Sequence, residues 1–303
     1  MAGSQMIPGE WGQQQWPAPA KLNLFLHVVG RRADGYHLLQ TVFRFIDLAD
    51  TLRFEARSDG RIVLATPTPG VPPEQDLVVR AAQALKVGAG GTAPAGSAAN
   101  MGTAKCAASG VTIHLEKHIP MGGGLGGGSS DAATTLIALN HLWGCGLSKE
   151  RLQAIGLTLG ADVPIFIHGR NCFAAGIGEQ FTAVAVPEAW YLLTLPAVAV
   201  PTAEIFRSSG LKRDTPAMKP ADWRSGVGHN DLEPVACALY PEVAYHLDRL
   251  RSCGDARMTG SGAGCFVEFR DEAAARAAHA LLPDNMQGLV VRGLGVHPLF
   301  ALT

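Results

Sequence analysis

Between Lys21 and Gly30 apolar and polar residues alternate, with Leu22, Leu24, Leu26 and Val28 on one face and Lys21, Asn23, Phe25 and His27 on the other. A period of two predicts a half-buried strand, and it sets Lys21 and Asn23 on one face. Residues 42–54 and 61–65 extend a β-rich N-terminal region, and 75–86 has helical spacing. The Gly/Ala/Ser stretch 87–109 carries too little apolar bulk for a core and is expected to be a mobile surface insertion. A strand at 111–116 is followed by a glycine-rich loop. Next comes a helix over 131–143 that stops at Gly144, with Ser129 or Ser130 as its N-cap. A second helix, 148–159, closes at Gly160, and the apolar run 162–167 predicts a buried strand. The pattern restarts near residue 174, with strands at 190–195, 265–269 and 288–296 and helices within 201–207, 231–252 and 271–282. Two α+β domains, 1–173 and 174–303, account for that order.

The 303 residues are 47% hydrophobic, ample for packed cores. With 25 basic and 26 acidic residues the net charge is −1. No global field therefore favours nucleic acid or an anionic membrane, and an anionic ligand must be met by local groups. No apolar run reaches the ~18 residues of a membrane span, and the first residues lack the order of a signal peptide. Six cysteines without a C-x-x-C pair suit reduced thiols, argue against structural zinc and lead to a cytoplasmic expectation. His114, His118, His168 and His229 show no metal-ligand spacing.

The densest chemistry lies in Pro120, Met121, Gly122, Gly123, Gly124, Leu125, Gly126, Gly127, Gly128, Ser129 and Ser130. Glycines leave backbone N–H groups free to point at an anion. A helix beginning just after them adds the positive end of its dipole, roughly half an elementary charge. The segment is expected to cradle a nucleotide triphosphate. It is not a Walker A loop, because no lysine follows the glycines, nor a dinucleotide fingerprint, because it lies far from the N-terminus and no acidic residue ~20 positions on ends a second strand.

Four segments in order, Pro19-Ala-Lys21-Leu-Asn23, the glycine cradle, Leu159-Gly-Ala-Asp162-Val-Pro164 and Thr259-Gly-Ser-Gly-Ala-Gly264, resemble the GHMP kinase superfamily. Arg32-Ala-Asp-Gly-Tyr-His-Leu38 extends the likeness to the branch whose acceptor carries a cytidine diphosphate. The resemblance runs from Trp16 to the last strand and leaves out 87–109. It implies a two-domain α+β fold, with a ribosomal protein S5 domain 2-like N-terminal domain and a ferredoxin-like C-terminal one. The implied reaction moves the γ-phosphate of ATP to the 2-hydroxyl of 4-diphosphocytidyl-2-C-methyl-D-erythritol, in the non-mevalonate route to isoprenoids, with Mg²⁺ expected beside ATP.

By the same resemblance Asp162 is the catalytic aspartate, acting as base or orienting the hydroxyl. Lys21 is the catalytic lysine, keeping that carboxylate ionised. Asn23, Tyr36, His37 and Phe206 would bind substrate, with Tyr36 and Phe206 as aromatic faces on either side of cytosine. Asp76 stands where the family usually has asparagine near the adenine. Read from the residues alone, Asp162 could be a helix-end turn, Lys21 a surface cation, Asp34-Gly-Tyr36 a plain turn and Phe206 a helix-core residue. The rivals are a mevalonate- or homoserine-type kinase and a nucleotide sensor without turnover. No pattern in the sequence fixes the magnesium ligands or the oligomeric state.

Overall fold

β1 (Trp16–Arg31) and β2 (His37–Arg57) form a long antiparallel hairpin. In this computed structural model the described residues are 11–68, 70–89, 106 and 108–303. β2 is long enough to serve several partners. Along its length it pairs with β1, β4 (Gly110–Glu116), β5 (Cys172–Ala175) and β10 (Gly288–Leu294). β3 (Ile62–Leu64) runs parallel to β4, and β6 (Gln180–Thr182) pairs with β5. Through β10 the sheet continues into β7 (Trp190–Thr194), β9 (Cys265–Phe269) and β8 (Ala256–Met258).

Four helices, α1 (Leu77–Ala89), α2 (Gly127–Leu142), α3 (Lys149–Leu159) and α4 (Val163–His168), belong to the N-terminal half. Their apolar residues join Trp16, Phe45 and Phe54 in one core. The later helices are α5 (Thr202–Arg207), α6 (Glu233–Leu239), α7 (Pro241–Arg251) and α8 (Glu272–His279). Leu247, Leu250, Met258 and Val267 centre a second core. A third core draws Leu22, Phe25 and Ile46 together with Tyr191 and Phe266, binding the two halves. Each such side chain contributes about 1.5–3 kcal/mol on burial.

Several expectations change. β1 is buried on both faces from Ala18 to Val28. Its alternation also slips at an irregularity between Asn23 and Leu26. Phe25 therefore packs with Leu22 and Leu24, while Leu26 and Val28 join the other core. A bulge adds a residue to one strand, and every later side chain changes face.

The run predicted as a strand at 162–167 is the helix α4, with Val163 to Ile167 all buried. A short, wholly apolar run has no period to separate helix from strand, and Pro164 is tolerated in a first helical turn. The stretch 231–252, expected to hold helix, carries α6 and α7, parted at Tyr240, whose backbone is extended ahead of Pro241. Neither Ser129 nor Ser130 caps α2. The cap is Gly126, at φ 73°, a left-handed conformation open to glycine.

Of the segment 87–109, residues 87–89 complete α1, with Gly88 and Ala89 buried; 90–105 and 107 lie outside the described residues. The expectation of reduced thiols also changes. Cys106 is bonded to Cys145, with Cα atoms 5.3 Å apart, and Cys172, Cys237, Cys253 and Cys265 are free. Both cysteines are buried in the N-terminal core, a contact their spacing of 39 residues does not reveal.

Candidate active site

Lys21 lies in the middle of β1 and is only 2% exposed. Its ammonium donates to Asn23 Oδ1 at 2.5 Å and to the Gly124 carbonyl at 2.8 Å, and stands 3.5 Å from Asp162 Oδ2. Asn23 is fixed in turn. Its Nδ2 donates to Thr41 Oγ1 at 2.9 Å, its backbone N–H donates to Thr259 Oγ1 at 2.9 Å, and Thr41 donates onward to the Phe25 carbonyl. The buried cation thus has two hydrogen-bond acceptors and a carboxylate within reach, which offsets the cost of taking a charge from water.

The glycine loop is held from two sides. Lys21 N–H donates to the Leu125 carbonyl, while Ala263 and Gly264 N–H donate to the carbonyls of Gly122 and Gly123. The second glycine turn, 259–264, is thereby laced to the first, and Asn230 Nδ2 anchors it through the carbonyls of Met258 and Gly260, each at 2.8 Å. Gly124 sits at φ 69°, and a Cβ there would lie 2.2 Å from the Thr259 carbonyl oxygen. Leu125 and Ser130 are buried; the Ser130 hydroxyl donates to the Pro19 carbonyl at 2.7 Å.

Asp162 is the residue before α4, and its carboxylate makes no capping bond. With 38% of its side chain exposed it faces a cavity of about 360 Å³. Lys21, Asn23, Thr41, Gly122, Gly124, Gly126 and Ser129 line the same cavity. Among the described residues no cluster of three or more His, Cys, Asp or Glu side chains could hold a metal. Mg²⁺ takes few protein ligands, and the hydroxyl of Ser129, on the cavity lining, is an oxygen donor that suits it alongside phosphate and water.

Beneath the loop, Lys117 bonds to Asp50 and to Asp131, the latter at 2.7 Å. Asp50 also accepts from the N–H groups of His118 and Ile119. Two buried carboxylates share one ammonium. Burial pushes Asp131 up to about 7, with Asp50 adding to the shift and Lys117 opposing it. Asp76 is also committed. It accepts from Val78 N–H at 3.0 Å and from Thr68 Oγ1 at 2.6 Å, holding the first turn of α1.

Leu39, Ala161, Ile177, Thr202 and Phe206 are shared with a second chamber of about 710 Å³. Tyr36, 60% exposed, His37 and Phe206 line it with Arg31, Arg207 and Arg213. The His37 and Phe206 rings lie 4.9 Å apart at 31°. Burial lowers the His37 pKa, and Arg213 and Arg31 lower it further.

The family model for the GHMP kinases N terminal domain matches residues 76–170, and that for the GHMP kinases C terminal domain matches 217–287. A 4-diphosphocytidyl-2-C-methyl-D-erythritol kinase of Dechloromonas aromatica is 58% identical over 94% of this chain and 98% of its own. The chain belongs to the 4-diphosphocytidyl-2-C-methyl-D-erythritol kinase family. The same-named protein of Thiobacillus denitrificans is 56% identical over 95% of this chain and 98% of its own. A crystal structure of a 4-(cytidine 5'-diphospho)-2C-methyl-D-erythritol kinase aligns at TM-score 0.76 and 34% identity, over 93% of this chain and 100% of that one. A homoserine kinase from Cytophaga hutchinsonii, 15% identical at TM-score 0.66, shares the fold. The expected two-domain α+β GHMP kinase fold is the observed one.

In this member of the family the first cavity gathers Lys21, Asn23, Gly122, Gly124, Gly126, Ser129 and Asp162, and the second gathers Tyr36 and His37, with Phe206 on both. Pro120, Met121, Gly123, Leu125, Gly127, Gly128 and Ser130 do not line the first cavity. They shape the loop and the start of α2. Sequence reasoning did not find Thr41 or Arg213; it named the segment holding Thr259 and Ser261 but neither the Thr259 contact to Asn23 nor the Thr202–Ser261 hydroxyl pair, 2.7 Å apart at the cavity edge. Thr41 is reached through the register of β1 on β2, and Thr259 and Arg213 through contacts between the halves, none of which leaves a local signal.

Proposed function

We infer that the chain transfers the γ-phosphoryl group of ATP to the 2-hydroxyl of 4-diphosphocytidyl-2-C-methyl-D-erythritol, giving the 2-phosphate and ADP in the non-mevalonate route to isoprenoid precursors. The observation that carries the assignment of roles is the Lys21–Asp162 pair, 3.5 Å apart in a cavity that opens on the chamber of Tyr36, His37 and Phe206.

The glycine loop binds the phosphates through its backbone N–H groups. The acceptor hydroxyl lies against Asp162, which orients it and takes its proton; a positioned base typically contributes 10²- to 10⁴-fold. Lys21, held by Asn23 and Gly124, stabilises the charge that grows on the transferring oxygens. Mg²⁺ would supply charge neutralisation on the nucleotide phosphates when bound, with the Ser129 hydroxyl as a protein oxygen. Tyr36 and Phe206 offer faces to the cytosine, and His37 a polar edge. The units 1–173 and 174–303 are kept as the two domains of this reading.

A cytoplasmic location belongs to the same proposal. No helix among the described residues is long and apolar enough to cross a membrane. The Cys106–Cys145 bond argues the other way, since such bonds are rare in reducing compartments.

The test is ADP release with Mg-ATP and 4-diphosphocytidyl-2-C-methyl-D-erythritol, with mevalonate and homoserine as competing acceptors. Turnover confined to the cytidine substrate is expected. Turnover with another acceptor alone would overturn the substrate assignment and leave the kinase in place.

A further inference from the structure

One hydrogen bond joins two side chains that line the second chamber, His37 and Arg213. Arg213 Nε–H donates to His37 Nε2 at 3.1 Å. A guanidinium is always protonated and only donates. The accepting nitrogen must therefore expose a lone pair, and a neutral imidazole then carries its proton on Nδ1. Arg213 cannot turn away easily, because its other nitrogens donate to the carbonyls of Leu211 at 2.9 Å, Phe206 at 2.9 Å and Ser208 at 2.8 Å. Among the described residues the Nδ1 of His37 has no hydrogen-bond partner, and the ring lies against Phe206 on the chamber wall.

We propose that Arg213 is a positioning residue that fixes His37 as the Nδ1–H tautomer, and that this makes the chamber select cytosine over uracil. The inference rests on the assignment of this chamber to the cytidine diphosphate group and adds the group that sets its choice of base. Cytosine N3 is a bare acceptor, and an Nδ1–H can donate to it. Uracil carries a hydrogen on N3, so the same ring would bring two donors face to face and leave both unpaired. A site built to pair with one hydrogen-bonding pattern rejects the other, here by roughly ten- to a hundredfold. Without Arg213 the imidazole is free to carry its proton on either nitrogen, and one of its two tautomers accepts from uracil.

Arg213 also latches the 206–211 segment, so loss of affinity alone would not separate the two roles. The tautomer does. Histidine ¹⁵N resonances of the full-length protein should show His37 protonated at Nδ1 and bare at Nε2. Titration calorimetry with CDP and UDP should favour CDP by at least about tenfold.

In Arg213→Met the CDP:UDP ratio should fall toward one, while kcat at saturating substrate changes less than KM. His37→Phe, which leaves the Arg213 latches to the carbonyls in place, should lose the same discrimination even if Arg213→Met folds poorly. A wild-type His37 protonated at Nε2, or discrimination retained in both variants, overturns the role of Arg213 and leaves the cytidine chamber standing. Failure of the wild type to bind either nucleotide overturns both.

Discussion

The ammonium of Lys21 and the carboxylate of Asp162 stand 3.5 Å apart, one nearly enclosed by β1 and its neighbours and the other 38% exposed to the cavity. The asymmetry divides the labour. Lys21 is immobilised by Asn23 and Gly124, whereas Asp162 keeps a free edge toward an incoming hydroxyl. Asp162→Asn keeps shape and removes basicity, so kcat is expected to fall about 10²- to 10⁴-fold with ATP affinity little changed. A solvent isotope effect on the wild type would separate proton removal from orientation. Near-normal turnover of the variant would remove Asp162 from the chemistry.

Gly124 and Gly144 have nearly the same left-handed backbone, at φ 69° and φ 68°. Alanine costs about 1–2 kcal/mol at either from backbone strain alone. Only at Gly124 would the new Cβ also meet a carbonyl oxygen, that of Thr259 at 2.2 Å; at Gly144 nothing lies within 4 Å. Gly124→Ala should lower thermal stability more than Gly144→Ala and weaken ATP binding as well. Equal melting shifts with unchanged ATP affinity would show that the two glycine turns are not rigidly laced.

The Cys106–Cys145 bond closes a loop of 39 residues ending beside α2, and loop-closure entropy predicts about 3–4 kcal/mol of stabilisation. A thiol titration of the denatured, unreduced protein should find the four free cysteines and gain two after reduction. Cys106→Ser should lower the melting temperature and make it insensitive to reductant. Six thiols without reduction would show that the bond does not form in solution.

His297 is buried against Phe45 and Phe166, and burial pushes its pKa down to about 3. The folded value lies below that of the unfolded chain, so the neutral imidazole contributes stability that is fully present above pH ~6.5 and is lost as the pH falls toward 3. His297→Gln should be less stable than the wild type at pH 7, with a deficit that shrinks steadily below pH 6.5. A constant deficit across that window would mean that His297 is not held neutral by the fold.

The shared placement of Lys21 and Asn23, the glycine loop and the helix behind it, and the turn just ahead of Tyr36 and His37 were legible in the sequence. Each depends on residue type and spacing within a few turns of chain. The two-domain fold and the cytidine-linked family were legible for the same reason, through long local motifs. Distances across the fold were not. The 3.5 Å between Lys21 and Asp162, the Thr41 and Thr259 bonds to Asn23 and the Arg213 bond to His37 exist because β2 aligns β1 with later strands and the C-terminal half closes over them. The same holds for the Cys106–Cys145 bond and the slip of face after Asn23. Whether 163–167 became strand or helix was also decided by packing, since an apolar run of that length satisfies its backbone either way until its neighbours are in place. Sequence supplied the reactive groups; non-local pairing and burial decided which of them touch.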